Sequence, residues 1–154
     1  MSNEFIDKHV SEIMDDSSLE FPKNMAFAAA WMLGNLKGIN LKVLNVSGTS
    51  SLSDYYVLAS ATSINQASSM ADLITSQLKD RGFTVISKEG FHADSDWLLI
   101  DMGDVIVHIF LDHARRVYDL DNLWDDAEHV EIPTSYYSSD EDAFALADSS
   151  KEYF

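Results

Sequence analysis

The stretch that decides the fold runs from Trp97 to Leu111 and reads W-L-L-I-D-M-G-D-V-I-V-H-I-F-L. Two apolar runs flank a polar break, D-M-G-D at 101–104, and each run is too short for a typical helix. Because the break contains glycine and the second run is rich in β-branched residues, the pattern predicts a β-hairpin. The loop could be Met102-Gly103 or Gly103-Asp104, and the second suits a type II′ turn, which places glycine first.

Side chains alternate along a strand, so this hairpin has two unlike faces whichever loop it uses. The first face is aliphatic and typical of a core, and its members are Leu98, Ile100, Val105, Val107, Ile109 and Leu111. The second face is mixed, and its members are Trp97, Leu99, Asp101, Ile106, His108 and Phe110. Aromatic residues are enriched at the centres of protein interfaces, so this face is a candidate interface. A second core layer beneath a covering helix is the alternative interpretation, and the pattern leaves both open.

The composition indicates one globular domain. The chain has 154 residues, enough for a single domain with a substantial core. It contains no cysteine, so we expect neither disulfides nor thiolate metal sites, and a reducing compartment fits. No apolar run approaches the ~20 residues that span a bilayer, and the acidic N-terminus resembles neither a signal peptide nor a transit peptide. We therefore expect a cytoplasmic protein.

The charge of the chain restricts its partners. The formal net charge is −16, which argues against direct binding to the nucleic-acid backbone or to an anionic membrane, because both need clustered lysine and arginine. The charge favours a basic protein as partner. Solubility alone is the simpler explanation, and charge by itself does not separate the two.

Periodicity along the rest of the chain predicts alternating helices and strands. We expect helices over 3–14 and from Pro22 to about Leu36, followed by strands over 41–46 and 55–59. A helix should then run from the capping box at Ser63 to Gly82, with a strand over 83–88 after it. The hairpin comes next, and a short helix from Asp112 through Tyr118 follows it. This order gives an α/β fold, a single domain with a roughly five-stranded mixed sheet flanked by helices. In the last predicted helix we expect Val117 and Tyr118 to face inward.

Pattern and charge divide the chain into three parts. Residues 1–21 form an N-terminal extension with a short amphipathic helix, residues 22–124 form the α/β domain, and residues 125–154 form a tail. The tail holds nine acidic residues and one basic residue, a net charge of −8. Because Ser, Asp and Glu dominate it after Pro133, we expect it to be mostly disordered.

None of the common catalytic motifs is complete. The serines at 47–53 lack a G-x-S-x-G elbow, the histidines lack zinc-binding spacing, and the loop at 47–51 lacks a phosphate-binding lysine. Nucleotidyl transfer needs two carboxylates on one strand face to hold magnesium, but Tyr56 stands two residues after Asp54 where the second is required. Asp101 and Asp104 flank a turn, so a structural or binding role is favoured over acid–base catalysis. We therefore expect no catalytic residue, metal site or cofactor.

Four stretches within residues 42–124 resemble the ribosomal silencing factors, also called the Iojap-like family. They are V-L-N-V-S-G-T-S-S-L-S-D-Y-Y-V-L-A-S-A-T-S at 43–63, K-E-G at 88–90, D-W-L-L-I-D-M-G-D-V-I-V-H-I-F at 96–110 and R-R-V-Y-D-L-D-N-L-W at 115–124. The combination of D-W, D-x-G-D-V-x-V-H and Y-D-L-x-x-L-W is far more specific than any catalytic motif considered above.

The resemblance implies a translation repressor. Members of that family bind the large ribosomal subunit through its fourteenth protein, a basic protein on the intersubunit face, and block joining of the small subunit. Their fold is α/β and related to nucleotidyltransferases without that activity, and members are often homodimers when free. The resemblance therefore implies a non-enzymatic protein whose partner is a ribosomal protein, with no nucleic-acid specificity and no membrane.

The same resemblance places the partner-binding residues on the mixed face of the hairpin and in the segment after it. The expected residues are Trp97, Asp101, Asp104, His108, Phe110, Tyr118, Leu120, Leu123 and Trp124. Two other functions stay open here, a divergent magnesium-dependent nucleotidyltransferase that uses Asp54 and a dimeric adaptor that uses the hairpin face on itself. Whether His108 touches the partner or packs beneath Trp97 is also open, as are the roles of the extension and the tail.

Overall fold

The structure is a computed structural model that describes residues 3–49, 53–90, 95–117 and 119–136. Within these ranges, no helix is long and apolar enough to cross a membrane. In chain order the helices and strands are α1 (Asn3–Met14), α2 (Lys23–Asn35), β1 (Ile39–Asn45), β2 (Tyr55–Ala61), α3 (Ile64–Asp80), β3 (Ser87–Glu89), β4 (Trp97–Asp101), β5 (Val105–Leu111), α4 (Asp112–Val117) and β6 (Glu128–Val130). Two 3₁₀ helices complete the described chain: Leu120–Trp124, which we call the Trp124 turn, and Thr134–Tyr136.

The strands form one mixed sheet in the order β3-β4-β5-β2-β1-β6. β2 and β5 run parallel, and the other neighbouring pairs are antiparallel. The predicted α/β fold with a mixed sheet is confirmed, but the sheet has six strands rather than five. The additional strand, β6, pairs with the end of β1. It was not predicted because its three residues, E-H-V, are too few to show an alternating pattern.

The predicted hairpin is formed by β4 and β5 with the second of the two candidate loops. Asp101 lies opposite Ile106, and the Met102 amide donates to the Val105 carbonyl oxygen at 3.0 Å, which leaves Gly103-Asp104 as the loop. Gly103 has a φ of +85°, as a type II′ turn requires of its first central residue. The two faces expected from alternation are therefore the two faces of the sheet.

The aliphatic face of the hairpin packs against α2 and α3 and belongs to the main core, on what we call the helical face of the sheet. Its buried members, each at most 1% exposed, are Leu98, Ile100, Val105, Val107 and Ile109. α2 is apolar on all sides because it is buried between the sheet and α1. The predicted N-terminal helix is confirmed as α1, and its buried side chains Ile6 and Val10 join the same core.

The capping box predicted at the start of α3 is present with one difference. The Ser63 hydroxyl oxygen accepts from the Gln66 amide at 3.1 Å, as expected. The Gln66 side-chain oxygen accepts from the Thr62 amide at 2.8 Å, one residue before the cap, and its NH₂ group donates to the Leu36 carbonyl oxygen at 3.0 Å. Gly82 follows the helix with a φ of +90°, so the predicted end is confirmed as well.

The predicted strand over 83–88 is wrong in its extent. β3 covers only Ser87–Glu89. The Phe83 amide donates to the Leu78 carbonyl oxygen at 3.0 Å and so completes the end of α3, which removes this amide from a strand ladder. The Phe83 ring stacks on Phe21 at 5.9 Å between centroids.

The predicted orientation of the last helix is also wrong. The Val117 side chain is 73% exposed rather than turned inward, whereas Arg115 is only 2% exposed. α4 therefore points an arginine into the fold, where that side chain finds hydrogen-bond acceptors, and leaves the valine in solvent. Tyr118, the other residue expected to face inward, lies outside the described residues.

The chain stays in the fold beyond residue 124, where we expected an acidic tail. β6 joins the sheet, and Tyr136 is 9% exposed and belongs to the main core. A side chain at Gly34, in α2, would overlap the Tyr136 carbonyl oxygen, so this close approach requires glycine. Val130 and Ile132 are partly buried and pack against the same core, so the chain stays in contact with the fold up to Tyr136 although its composition is acidic. Residues 137–154 lie outside the described part of the chain.

Candidate functional site

The sheet face opposite α2 and α3, which we call the aromatic face, carries five packed rings. This aromatic cluster consists of Tyr56 from β2, Trp97 from β4, His108 and Phe110 from β5, and Trp124 from the Trp124 turn. Its ring centroids in contact lie from 4.9 Å (Tyr56–His108) to 6.4 Å (Trp97–Trp124) apart. Strand register produces the arrangement, because Trp97 is directly opposite Phe110 across the hairpin.

Two rings of the aromatic cluster are buried and the other three are partly exposed. Phe110 is fully buried and His108 is 4% exposed, and Phe110 packs with Leu44, Val46 and Leu58 in a small apolar cluster. Tyr56, Trp97 and Trp124 are partly buried and pack against this apolar cluster. The cover is the five-residue Trp124 turn rather than the covering α-helix of our alternative interpretation. The face is therefore a thin second core layer whose outer rings reach solvent.

His108 supports Trp97 from below. The Trp97 indole N–H donates to His108 Nδ1 at 3.2 Å, so the neutral imidazole carries its own hydrogen on Nε2. Burial lowers the pKa of His108 from 6.5 to about 4, which keeps the ring neutral and able to accept this bond at neutral pH. Within the described residues Nε2 has no hydrogen-bond partner. His108 therefore packs against Trp97, and its contact with a partner stays a prediction.

An ion-pair network holds the Trp124 turn against the sheet. Asp121, inside the turn, accepts from Arg115 Nε at 3.2 Å and from Arg115 Nη2 at 3.0 Å. Lys42 Nζ donates to the same carboxylate at 2.8 Å. Burial acts to raise the pKa of Asp121, but the hydrogen bonds and charges of Arg115 and Lys42 outweigh burial and lower this pKa. The carboxylate is therefore ionised and bound by two cations near neutral pH.

Arg115 connects this network to the backbone of the sheet. Its Nη1 donates to the Asn40 carbonyl oxygen at 2.7 Å and to the Ser60 hydroxyl at 3.0 Å. Its guanidinium carbon also lies 5.7 Å from the centre of the Phe110 ring, a cation–π distance. Since Asp121 precedes Trp124 by three residues, this arginine fixes the turn that places the Trp124 ring.

The two predicted turn acids have different surroundings. The Asp101 carboxylate accepts from the Gly103 amide at 2.8 Å and so stabilises the hairpin loop. Asp104 is exposed, and its main-chain carbonyl oxygen accepts from the amides of Asp54 and Tyr55 at 3.0 and 3.1 Å. Asp101 thus has a local structural contact, and the Asp104 carboxylate faces solvent.

The structure brings four of the nine predicted site residues into one contact group. These are Trp97, His108, Phe110 and Trp124. Leu123 lies beside them and is 62% exposed. Leu120 belongs to the Trp124 turn, but its side chain lies outside the description, as does the whole of Tyr118.

Sequence reasoning missed Tyr56 as a member of the aromatic cluster. The available signal was its spacing of two from Leu58, which puts both side chains on one strand face. The Tyr56 ring packs edge-on against Trp124, so it occupies the place where a transferase would need a second carboxylate beside Asp54. Among the described residues, no three His, Cys, Asp or Glu side chains are grouped so that they could hold a metal ion.

Comparison with known proteins identifies the family of the chain. The family described as "Ribosomal silencing factor during starvation" matches residues 19–152. A Haemophilus influenzae protein named Ribosomal silencing factor RsfS is 38% identical over 92 residues, which cover 60% of this chain and 89% of that protein. A Bacillus subtilis protein of the same name is 32% identical over 110 residues, which cover 71% of this chain and 92% of that protein. A crystal structure of a Bacillus halodurans protein superposes with a TM-score of 0.59 at 29% identity and covers 70% of this chain and 94% of that one. The chain belongs to the ribosomal silencing factor family.

Proposed function

We propose that this silencing factor binds the large ribosomal subunit and blocks its joining with the small subunit. The contact on the subunit is its fourteenth protein, which is basic, and the contact on this chain is the aromatic face. Repression is steric and includes no catalytic step. The proposal rests on membership of the silencing family together with the geometry of the aromatic face.

The observation that carries the proposal is a partly exposed pair of tryptophans on rigid supports. Trp97 and Trp124 lie with ring centroids 6.4 Å apart at an angle of 82°. His108 holds the first through a hydrogen bond, and the Arg115–Asp121 pair holds the turn that carries the second. Rings that are already ordered lose little conformational freedom on binding, and tryptophan is the residue most enriched at hot spots.

The charge of the chain supports a basic partner. Exposed Asp125, Asp126 and Glu128 follow Trp124 directly, and the whole chain carries −16. Such a surface attracts a basic protein over a distance and repels the ribosomal RNA around it. Binding should therefore weaken as salt is raised, because exposed charges are screened beyond about 8 Å at physiological ionic strength.

The test is sedimentation of the full chain with isolated large subunits, isolated small subunits and joined ribosomes. We expect the chain to pellet with large subunits only, and we expect excess protein to reduce the joined fraction when the two subunits are mixed. Pelleting with small subunits, or pelleting with large subunits without any effect on joining, would contradict the proposal.

One variant of the chain distinguishes the proposed function from the alternative of a dimeric adaptor. If the aromatic face serves self-association, Trp97→Ala should convert a dimer to a monomer in analytical ultracentrifugation and leave large-subunit binding unchanged. Under our proposal the same variant binds large subunits more weakly. The two outcomes exclude each other, so one variant decides between the two functions.

A further inference from the structure

A cavity of about 310 Å³ opens beside the aromatic cluster, at the edge of the proposed binding surface. Its walls come from the loop after β1, from β2, and from the chain around the Trp124 turn. The residues that line it are Val46, Thr49, Tyr56, Leu123, Trp124, Asp126 and Ala127. This volume is at the lower limit for small-molecule sites, so the cavity suits one inserted side chain better than a cofactor.

The lining combines two aromatic rings with a carboxylate. Tyr56 and Trp124 both line the cavity, and their ring centroids are 5.7 Å apart at an interplanar angle of 84°. Asp126 is exposed two residues after Trp124. A ring face attracts a cation within about 6 Å of its centre, most strongly when the ring is tryptophan, and a carboxylate adds a charge-assisted hydrogen bond.

We propose that this cavity receives a cationic side chain, arginine above all, from the basic protein bound by the aromatic face. The inference rests on the proposed function and adds a specific pocket to it. Arginine is favoured because its planar guanidinium stacks on aromatic faces and binds carboxylates through parallel N–H groups. Charge complementarity with a chain of net charge −16 supports the same choice.

The cavity is formed before any side chain enters it, because the segments that carry Trp124 and Tyr56 are held in place. Trp124 is carried by the Trp124 turn, which Arg115 and Lys42 hold through Asp121 at 2.8–3.2 Å. Tyr56 is fixed in β2, which is paired on both sides. An incoming side chain therefore enters a preorganised site.

A second cavity differs from the first in the residues that the proposal requires. It encloses about 170 Å³, and its lining residues are Leu41, Lys42, Val43, His129, Val130 and Ile132. This lining holds a lysine and has neither an aromatic face of tryptophan or tyrosine nor a carboxylate. Since this lining has no carboxylate and no tryptophan or tyrosine ring to attract a cation, the proposal applies to the cavity beside Trp124 and not to this one.

The first experiment uses small probes with the full chain. We would titrate it with N-acetyl-arginine amide and, as a neutral isostere, N-acetyl-citrulline amide, and follow the indole N–H resonances by NMR. The arginine probe should shift the Trp124 signal at lower concentration than the citrulline probe, and Asp126→Asn should reduce that difference. Equal titration by the two probes, or an unchanged difference in Asp126→Asn, would overturn the inference.

The second experiment measures the Kd for large subunits. Asp126→Asn should weaken binding about twofold to fivefold, the effect of one partly exposed ion pair. Asp125→Asn is the matched control, because Asp125 is an exposed neighbour that is not among the lining residues, and it should change Kd less than Asp126→Asn does. Equal effects of the two variants would contradict the assigned pocket.

The two experiments separate the failure of the pocket from the failure of the proposed function. If the unaltered chain does not bind large subunits at all, the proposed function is wrong, while the probe titration still decides whether the cavity takes a cation. If the chain binds large subunits and Asp126→Asn binds equally well, the function stands and the pocket is wrong.

Discussion

The helical face and the aromatic face of this sheet are covered in different ways. The helical face lies under α2 and α3, which have 13 and 17 residues. Five of its six aliphatic hairpin side chains are at most 1% exposed, and the sixth, Leu111, is partly buried. The aromatic face lies under the Trp124 turn, which has five residues. Its largest side chains are rings, and three of the five, Tyr56, Trp97 and Trp124, remain partly accessible.

The difference shows how a sheet face can be ordered although its cover is short. A long helix is held in place by the apolar area that it buries, but a five-residue 3₁₀ helix buries too little for this. Polar anchors hold the Trp124 turn instead, since Asp121 is bound by Arg115 and by Lys42. The aromatic face is therefore rigid although its cover is thin, and this combination leaves ordered rings at the surface.

The largest expected effect would be on the helical face. Ile109 is fully buried there, so Ile109→Ala should lower the free energy of unfolding by about 2–5 kcal/mol, the range for a buried aliphatic truncation. Denaturant unfolding measures it. Ile86→Ala removes the same atoms from a side chain that is 63% exposed and should cost within about 0.5 kcal/mol. The affinity of the folded Ile109→Ala protein for large subunits should not change, and a loss would break the functional separation of the two faces.

The second effect would be on the aromatic face. Trp97→Ala should weaken large-subunit binding by about 2 kcal/mol, or about 30-fold in Kd, if Trp97 is a hot spot. Trp31→Ala is the comparison, because Trp31 is 7% exposed and lies in the core on the helical side. That variant should lose stability and keep its affinity once folding is verified by circular dichroism. An unchanged Kd for Trp97→Ala would remove the central anchor from the proposed interface.

The third effect is a pH dependence of stability that arises on the aromatic face. Burial lowers the pKa of His108 from 6.5 to about 4 in the folded chain. Between these two pH values the imidazole is therefore protonated in the unfolded chain and neutral in the folded chain. His108 therefore stabilises the fold above pH 6.5, and this stability is lost as the pH falls, by about 1.4 kcal/mol per pH unit. Unfolding measured between pH 6.5 and 5 should be less pH-dependent in His108→Asn, whose side-chain oxygen can still accept from Trp97. Exposed His113 serves as the control, since His113→Asn should keep the original slope, and equal slopes in the two variants would contradict this account.

The helical face and the hairpin were predictable from sequence because their signals are local. Alternation gave both faces of β4 and β5, and glycine placement favoured the loop that forms, Gly103-Asp104. Ser63 and Gly82 marked the two ends of α3 within a residue or two. Each of these features depends on neighbours a few positions apart, which is the range over which propensity and capping act.

The assembly of the aromatic face was only partly predictable because it depends on strand order. Tyr56 reaches the aromatic cluster because β2 lies beside β5 in parallel, and no local pattern encodes that neighbour. Arg115 turns inward because acceptors from Asn40, Ser60 and Asp121 converge on it, although Val117 is the more apolar residue. β6 shows the same limit, since its three residues become a strand only by pairing with β1.

The smallest expected effect decides whether exposed apolar residues near the Trp124 turn have a function. Leu123 is 62% exposed and Val117 is 73% exposed, so neither serine variant should change the free energy of unfolding by more than about 0.5 kcal/mol. Leu123 also lines the cavity beside Trp124, and Leu123→Ser should weaken large-subunit binding by about 1 kcal/mol, or about fivefold. Val117→Ser should leave Kd unchanged within error. Single exposed apolar side chains are common on protein surfaces, so exposure alone does not assign Leu123 to the binding surface. A difference in Kd between these two variants in quantitative sedimentation would make that assignment. Equal Kd values would limit the binding surface to the rings of the aromatic cluster.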